Sequence, residues 1–450
     1  MKLTGFTQYC NAEYSIRRRK IFQISTVPFF LAVFGMASSL YGDSHHSLEA
    51  YLLRARDNNP GIASARSSAV AHEKEARLAT ALPDPSVSAG YFISPVETRL
   101  GPQVAKIGAM QKIPWPGKLA ARRAVAEHSL EIAHQNVRMV ESEVFAGIRQ
   151  EYARLYASGR ALHITEENLA LLGQMESILL EKYATASADQ LSVVKIQVEI
   201  ALLEDSRDKL AIRGRTLRAR LAALLSTQID PDSIPFPSTL PQLEIPAGPG
   251  RLQEKALDAS PSLNIANIQT RISDVSVVLA KQRFAPDFTL MTDYLFTDEA
   301  NSPMVSSKDN GRDPWIAGIS MTIPLWAGAK TAAVRKARAQ NSMQESTAGE
   351  KRNMVIEKCI SLAGELDNVE KKIRLYDTML IPKARQALAL VEESYGNGRS
   401  TMLDFLDAQR SLLMLETAYA EKEAAREIIA GQIDSLLGGD LTRTMLKNGN

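Results

Sequence analysis

Two carboxylates beside a glycine turn are the residues of this sequence best placed to act on a ligand. Asp404 and Asp407 are three positions apart and follow Gly396-Asn397-Gly398, a group that ends a helix and reverses the chain. Residues three apart share one face of a helix, so both side chains should point the same way. Without further evidence they would be only solvated charges near a helix N-terminus, where the helix dipole favours acidic residues.

The stretch that holds the two aspartates, 395–409, occurs earlier in a similar form at 183–197. Matching tyrosine, leucine and glutamine residues in the two stretches lie 212 positions apart. This self-similarity predicts an internal duplication whose halves share one body. In the first copy Ser192 and Lys195 occupy the places of the aspartates, so only the second copy brings the acidic pair.

Composition and motifs limit the function classes. The formal net charge is only +2, which does not indicate the clustered basic surface of a nucleic-acid-binding protein. The sequence has no nucleophile elbow, phosphate loop or zinc signature, so we expect neither an enzyme nor a bound cofactor or metal. The two cysteines, Cys10 and Cys359, do not indicate a disulfide framework.

Residues 1–42 have the pattern of a signal peptide. Basic residues at 17–20 precede an apolar run over 21–40, and small residues at 37–39 lie near its end. An uncleaved membrane anchor is the alternative interpretation. We find no later apolar run of the length that a transmembrane helix needs.

The first repeat is predicted over 43–225, followed by a proline-rich connector over 226–250. Its helix, β-hairpin, long helix, tip turn and return helix are placed at 48–82, 86–113, about 119–183, 184–188 and 190–225. At about 1.5 Å per residue the long helix would span roughly 100 Å. We expect a break at Asn59-Pro60 and an interruption of the long helix near Ala157-Ser158-Gly159.

The second repeat is predicted over 251–440, with the same order of elements. Its β-hairpin is placed at 287–323 and its tip turn at 396–400. Pro382 lies inside the second long helix and should kink or loosen it. Residues 441–450 are predicted as a C-terminal tail.

The predicted strands alternate apolar and polar residues, and the apolar face carries Tyr91, Tyr294, Phe296 and Trp315. Two strands per repeat cannot form a stable sheet alone. In a membrane such strands are satisfied only in a closed barrel, and four are too few to close one, so several chains would contribute. The alternatives are a small soluble subdomain for the strands and an ordinary coiled-coil spacer for the helices.

The sequence resembles the outer-membrane efflux protein (TolC) family in the order of its elements and in three segments. They are Ile-Pro-Trp-Pro-Gly-Lys-Leu at 113–119, Ile-Pro-Leu-Trp-Ala-Gly at 323–328 and Tyr-x-x-Gly-x-x-x-x-Leu-Asp-x-Leu-Asp-Ala-Gln at 395–409. The resemblance implies a mainly α chain with a small β part, assembled as a homotrimer. Twelve strands would form an outer-membrane β-barrel in contact with lipid, above a long α-helical barrel that extends through the periplasm. The chain would be the exit duct of a tripartite efflux or type I secretion system. Its partners would be a periplasmic adaptor and an inner-membrane pump of the RND or ABC type.

The resemblance also assigns roles to residues of the tip turns. Asp404 and Asp407 would line a constriction as two rings of three carboxylates, whose crowding would raise their pKa values. Tyr395, Gly398, Arg399 and Tyr183 would form the turns and the contacts that hold the tip closed.

The Trp-Pro-Gly-Lys-Leu segment is most similar to partners of heavy-metal pumps of the cobalt–zinc–cadmium type, although the sequence holds no metal-ligand array. The alternative function is a periplasmic coiled-coil adaptor or scaffold without a membrane barrel.

Overall fold

Long helices and one small sheet make up the part of the chain that the computed structural model describes, residues 46–226, 230–241, 243–246, 248–300, 308 and 310–448. This confirms the predicted mixture of helix and strand. The signal peptide predicted for 1–42 lies outside these residues. No helix among the described residues has both the length and the apolar character needed to cross a bilayer.

Two short helices open the first repeat and meet at one asparagine. α1 (Leu48–Asn58) ends where α2 (Pro60–Leu78) begins, at the predicted break. The side chain of Asn59 between them accepts hydrogen bonds from the N–H groups of Gly61 and Ile62, at 2.9 and 3.3 Å. It also donates to the carbonyl of Leu224 at 2.9 Å, which ties the break to the end of the return helix.

The long helix of the first repeat, α3 (Pro116–Ala184), runs without interruption for 69 residues. The interruption predicted near 157–159 is therefore wrong. Ala157 and Ser158 are buried, and a Cβ on Gly159 would lie 2.7 Å from the Cβ of Phe236. The glycine thus serves a close approach of another segment rather than a break. The return helix, α4 (Gln190–Leu225), occupies the predicted residues.

The described residues of the proline-rich connector include a 3₁₀ turn at Pro231–Ser233, and they pack on the first repeat. Ile234 is buried in the cluster of apolar residues around Leu52 and Phe145. The ring of Phe236 lies on Gly159 and Gly214, and the guanidinium of Arg218 stands 4.2 Å from its centroid.

The second repeat has the same order of helices. They are α5 (Pro249–Ala259), α6 (Pro261–Lys281), α7 (Ala327–Leu375), α8 (Ile381–Gly396) and α9 (Met402–Leu436). A π turn at Tyr376–Leu380 joins α7 to α8, with the N–H of Ile381 bonded to the carbonyl of Tyr376. Pro382 has no N–H for the carbonyl of Thr378, so the regular ladder fails there. The predicted loosening at Pro382 is confirmed.

The four strands form one antiparallel sheet in the order β1 (Ser86–Thr98), β2 (Gly101–Ile113), β3 (Phe288–Thr297) and β4 (Trp315–Met321). Pairing of β2 with β3 joins the two repeats. The register sets Ile107 opposite Tyr294 and Tyr294 opposite Trp315, so the predicted apolar residues share one face. Gly108 and Asp293 are opposite each other on the polar face.

The junction between sheet and helix depends on the Pro-Trp-Pro-Gly-Lys segment. The ammonium of Lys118 donates to the carboxylate of Asp287 at 2.7 Å and to the carbonyl of Ala285 at 3.0 Å. The N–H of Trp115 donates to the same carboxylate at 3.1 Å. The segment therefore fixes the start of α3 to the start of β3, which belongs to the other repeat.

The C-terminal segment is a helix, α10 (Asp440–Asn448), where a tail was predicted. Thr442 is fully buried, and its hydroxyl accepts hydrogen bonds from the guanidinium of Arg149 on α3 at 3.1 and 3.2 Å. Asp434 accepts hydrogen bonds from the N–H groups of Leu441 and Thr442 and from the Thr442 hydroxyl. These buried polar contacts hold α10 against α3 and α9.

Candidate functional site at the two helical turns

The turn between α8 and α9 closes with a left-handed glycine. The N–H of Arg399 donates to the carbonyl of Ser394 at 2.8 Å, and the N–H of Gly398 donates to the carbonyl of Tyr395 at 3.1 Å. Gly398 has φ +68°, and a Cβ there would meet no atom within 4 Å. This is a Schellman ending, in which conformation rather than space requires glycine.

The turn between α3 and α4 has the same construction with an alanine. The N–H of Ser187 donates to the carbonyl of Lys182 at 2.8 Å, and Ala186 has φ +55°. Ala186 and Gly398 are 212 positions apart, the same offset as in the sequence repeat. The backbone of the turn is thus duplicated along with the helices.

Asp404 caps the helix that follows the second turn. Its carboxylate accepts from the N–H of Thr401 at 2.8 Å and from the Thr401 hydroxyl at 2.7 Å. In return the N–H of Asp404 donates to that hydroxyl at 3.2 Å, which completes a capping box. The backbone hydrogen bond, and then the hydroxyl, lower the pKa of Asp404. Within one chain the pKa of Asp404 is therefore lowered, whereas crowding of carboxylates in the rings of a trimer was expected to raise it.

Asp407 lies one turn further along the same exposed face of α9, and Phe405 and Leu406 are buried on the other side. The guanidinium of Arg410 stands 3.9 Å from its carboxylate. Arg410 also forms an ion pair with Glu199 on α4. This ion pair joins the return helices of the two repeats, and it is a contact that the sequence pattern did not predict.

Tyr395 is the point where the two turns meet. The ammonium of Lys182 lies 4.7 Å from its ring centroid. Burial, and then the nearby Asp189 carboxylate, raise the pKa of the Tyr395 phenol. The residue of the first turn that reaches Tyr395 is therefore Lys182, whereas the neighbouring Tyr183 has an exposed side chain. The side chain of Arg399 is also exposed, and its N–H closes the second turn.

A carboxylate is present at the first turn as well, at a different position. Asp189 caps α4 by accepting from the N–H of Ser192 at 3.2 Å, and this partner lowers its pKa. Asp189 corresponds to Thr401, so the acidic residue stands at the cap in one repeat and three positions later in the other. Alignment of the two repeats matched Ser192 with Asp404 and therefore did not identify Asp189 as the carboxylate of the first turn.

The turns thus carry a mixed set of charges that can attract or repel ions but provides no nucleophile paired with a base. The described residues hold no group of three or more His, Cys, Asp or Glu side chains that could bind a metal ion.

Comparison with known proteins places the fold. A sequence profile described as "Outer membrane efflux protein" matches residues 252–439. The outer membrane protein OprJ of Pseudomonas aeruginosa is 24% identical over 319 residues, which cover 68% of this chain and 64% of OprJ. The cobalt-zinc-cadmium resistance protein CzcC of Cupriavidus metallidurans is 21% identical over 396 residues, which cover 87% of this chain and 90% of CzcC.

Among solved structures, the outer membrane protein VceC of Vibrio cholerae superposes with a TM-score of 0.71 at 18% identity, covering 87% of this chain and 96% of VceC. The chain therefore shares the fold of VceC, and its residues 252–439 are similar in sequence to the outer membrane efflux protein family.

Proposed function

We propose that this chain forms the outer-membrane exit duct of a tripartite efflux system. The observation that carries the proposal is that one chain combines a sheet whose apolar face is exposed with a helix of 69 residues. Ile93 is 95% exposed and Trp315 76%, values expected where lipid rather than protein covers a side chain. An outer-membrane location satisfies both elements at once.

The same sheet supports assembly as a homotrimer. Among the described residues β1 and β4 are the outer strands, each paired on one side. An open edge is a site for pairing with another chain. Three copies would supply twelve strands and close a barrel with the apolar faces towards lipid and pairs such as Lys106–Asp293, 3.4 Å apart, on the inside.

Asp404 and Asp407 are proposed to form two carboxylate rings at the periplasmic end of the duct. Cations would be favoured there, so metal cations are one class of cargo the duct would pass. The name of the relative CzcC refers to cobalt, zinc and cadmium resistance. The contact between Tyr395 and Lys182, with Gly398 and Arg399 in the turn, supports a role for these residues in holding the entrance closed.

The partners proposed for the duct are a periplasmic adaptor, which would dock on the helices near the turns, and an inner-membrane pump of the RND or ABC type. The lipid of the outer membrane would surround the sheet. The duct itself would conduct passively, since the described site offers charges and no reacting group.

Cell fractionation tests the proposal. We expect the protein in the outer membrane, extracted by detergent as a trimer that dissociates on heating. A monomer released by osmotic shock would instead support the alternative, a periplasmic coiled-coil adaptor or scaffold. That outcome would leave the open apolar face of the sheet unexplained.

A further inference from the structure

Basic side chains are concentrated where the helices of the second repeat meet the sheet. Two of them lie at the end of α6 and in the 3₁₀ turn that follows it, Gln282–Phe284, and the others lie near the start of α7, which packs on α6. All are exposed except Lys330, which is half-buried. The set, called the basic collar, consists of Lys281, Arg283, Lys330, Arg335, Lys336 and Arg338.

The basic collar has no acidic partner within the chain. Residues 275–286 and 327–344 contain neither aspartate nor glutamate. Across the part of the chain that the structure describes, no ion pair joins a collar residue to a carboxylate. The carboxylate that follows the collar at the start of β3, that of Asp287, is bonded to Lys118. A surface of one sign attracts anions from its surroundings.

The first repeat differs at the corresponding level, because it has ion pairs there. Near the end of α2 the guanidinium of Arg77 lies 2.8 Å from the carboxylate of Glu73. In the early turns of α3 the guanidinium of Arg123 lies 2.7 Å from that of Glu127. A group of unpaired cations as large as the collar is therefore not a requirement of the fold that both repeats share.

Exposed apolar side chains connect the collar to the apolar face of the sheet. After β4 the chain continues through Ile323, Leu325 and Trp326, which are 64%, 73% and 82% exposed. Lys330 follows Trp326 by about one helical turn. Its ammonium lies 6.0 Å from the ring centroid of Phe284, which is also exposed. Apolar surface, tryptophan and positive charge thus succeed one another at this junction.

We propose that the basic collar binds the headgroups of anionic phospholipids, in the leaflet on the helical side of the sheet. This inference rests on the proposed outer-membrane location and adds the class of lipid that the chain selects. Tryptophan favours the boundary between hydrocarbon and headgroups, and lysine and arginine extend their charged ends from apolar surface towards water and phosphate. An anionic leaflet attracts basic side chains that lie within about a Debye length of it.

The dimensions of the junction agree with this placement. The headgroup region adds roughly 5–7 Å to each side of the hydrocarbon core. Measured along α7 from Trp326, Lys330 lies about 6 Å away and Arg335 about 14 Å. Long side chains at these two positions reach the phosphates, whereas Arg338, about 18 Å along the helix, contributes less.

Quenching of tryptophan fluorescence by brominated lipids tests the proposal on the full chain. In a variant with Trp115→Phe and Trp315→Phe, the remaining tryptophan, Trp326, reports on the lipid beside the collar. The protein is reconstituted in vesicles of phosphatidylglycerol and phosphatidylcholine, with one or the other lipid brominated on its chains. We expect phosphatidylglycerol to be enriched beside Trp326 roughly fivefold at low salt, the effect of about one basic side chain near a headgroup. The enrichment should fall when the salt concentration is raised, because the attraction is screened.

Two double variants of the same helix, made in this background, locate the effect. Lys330→Gln with Arg335→Gln should reduce the enrichment by at least about twofold, because two collar charges are lost. Arg352→Gln with Lys358→Gln removes the same charge from α7 at a distance of about 25 Å or more beyond Arg335 and should leave the enrichment unchanged.

The possible failures are distinguishable. If both lipids quench Trp326 equally, the preference for anionic lipid is overturned and the proposed function stands. If neither lipid quenches it, the chain does not enter the bilayer, and the proposed function is overturned as well. If replacing Lys330 and Arg335 dissociates the trimer in lipid-free detergent, these side chains contact a second copy of the chain, which also overturns the lipid site.

Discussion

Ala186 and Gly398 hold the same left-handed position in the two turns, 212 residues apart, yet only Gly398 is suited to it. An L-residue in this conformation is strained by about 1–2 kcal/mol, because its Cβ crowds the following carbonyl. The first turn therefore carries strain that the second avoids. The hydrogen bonds that close the two turns are otherwise the same.

Replacing Ala186 by glycine and Gly398 by alanine should change the stability of the two turns in opposite directions. We expect Ala186→Gly to stabilise the first turn by roughly 0.5–1 kcal/mol, after the greater flexibility of glycine in the unfolded chain is subtracted. Gly398→Ala should destabilise the second by about 1 kcal/mol. Hydrogen exchange of the peptides that span each turn measures both. Gly173→Ala is the control, since this helical glycine has free space at its Cβ and the change should stabilise α3.

Replacing Asp404 should change both the structure of the helix start and the electrostatics of the entrance, whereas replacing Asp407 should change the electrostatics alone. Both replaced by alanine should weaken block of single-channel conductance by trivalent cations, because the proposed rings lose their charge. Asp404→Ala should also loosen the start of α9, as Thr401→Ala should by about 1 kcal/mol, whereas Asp407→Ala should leave it intact. Conductance recordings paired with hydrogen exchange over 400–410 test this. Unchanged block in the double variant would remove both residues from the pore.

Local patterns predicted the elements of this fold well. Alternation of residue types placed Tyr294 and Trp315 on one face, and the strand register confirms it. Asn59 before a proline marked a helix boundary, and Pro382 marked the π turn. In each case the cause lies within a few residues of the effect, so the sequence alone is sufficient.

Contacts between segments that are distant in the sequence could not be predicted from local sequence patterns. Gly159 was interpreted as a helix break, since its contact with Phe236 in the connector could not be predicted. The residues after Asp440 were interpreted as a tail, since the contact of Thr442 with Arg149 on another helix could not be predicted either. At the candidate site Lys182 reaches Tyr395 for the same reason. No spacing rule links such pairs before the helices are arranged in space.

Arg149 should be among the residues least tolerant of change. Its guanidinium is buried, 2.5 Å from Glu427, and donates to Thr442. Arg149→Met would leave buried carboxylates without a counter-charge, which typically destabilises a protein by 3–5 kcal/mol. Denaturant unfolding of the detergent-solubilised protein measures the loss. Arg123→Met, which removes an exposed pair with Glu127, should change stability by no more than about 1 kcal/mol.

Asp434 should make stability fall as pH rises. Burial raises its pKa, against the hydrogen bonds of Thr442 and Leu441 and the charge of Arg149 that lower it, and the Glu427 carboxylate shares the same arginine. A carboxyl with a raised native pKa binds its proton more tightly when folded. Its contribution is therefore full below the unfolded pKa of about 4 and is lost as pH rises through the native value.

Asp434→Asn removes the ionisation and keeps one acceptor oxygen, which can serve either Leu441 or Thr442, since these residues donate to different oxygens of Asp434. The hydrogen bond that is lost costs the same at every pH in this range. The Tm of this variant, relative to the original chain, should therefore increase between pH 4 and pH 7. Asp440→Asn is the control, because its carboxylate is half exposed and pairs with Arg138 and Arg443, so its relative Tm should not increase over this range. A difference in Tm between Asp434→Asn and the original chain that is constant with pH would show that burial does not govern this carboxyl.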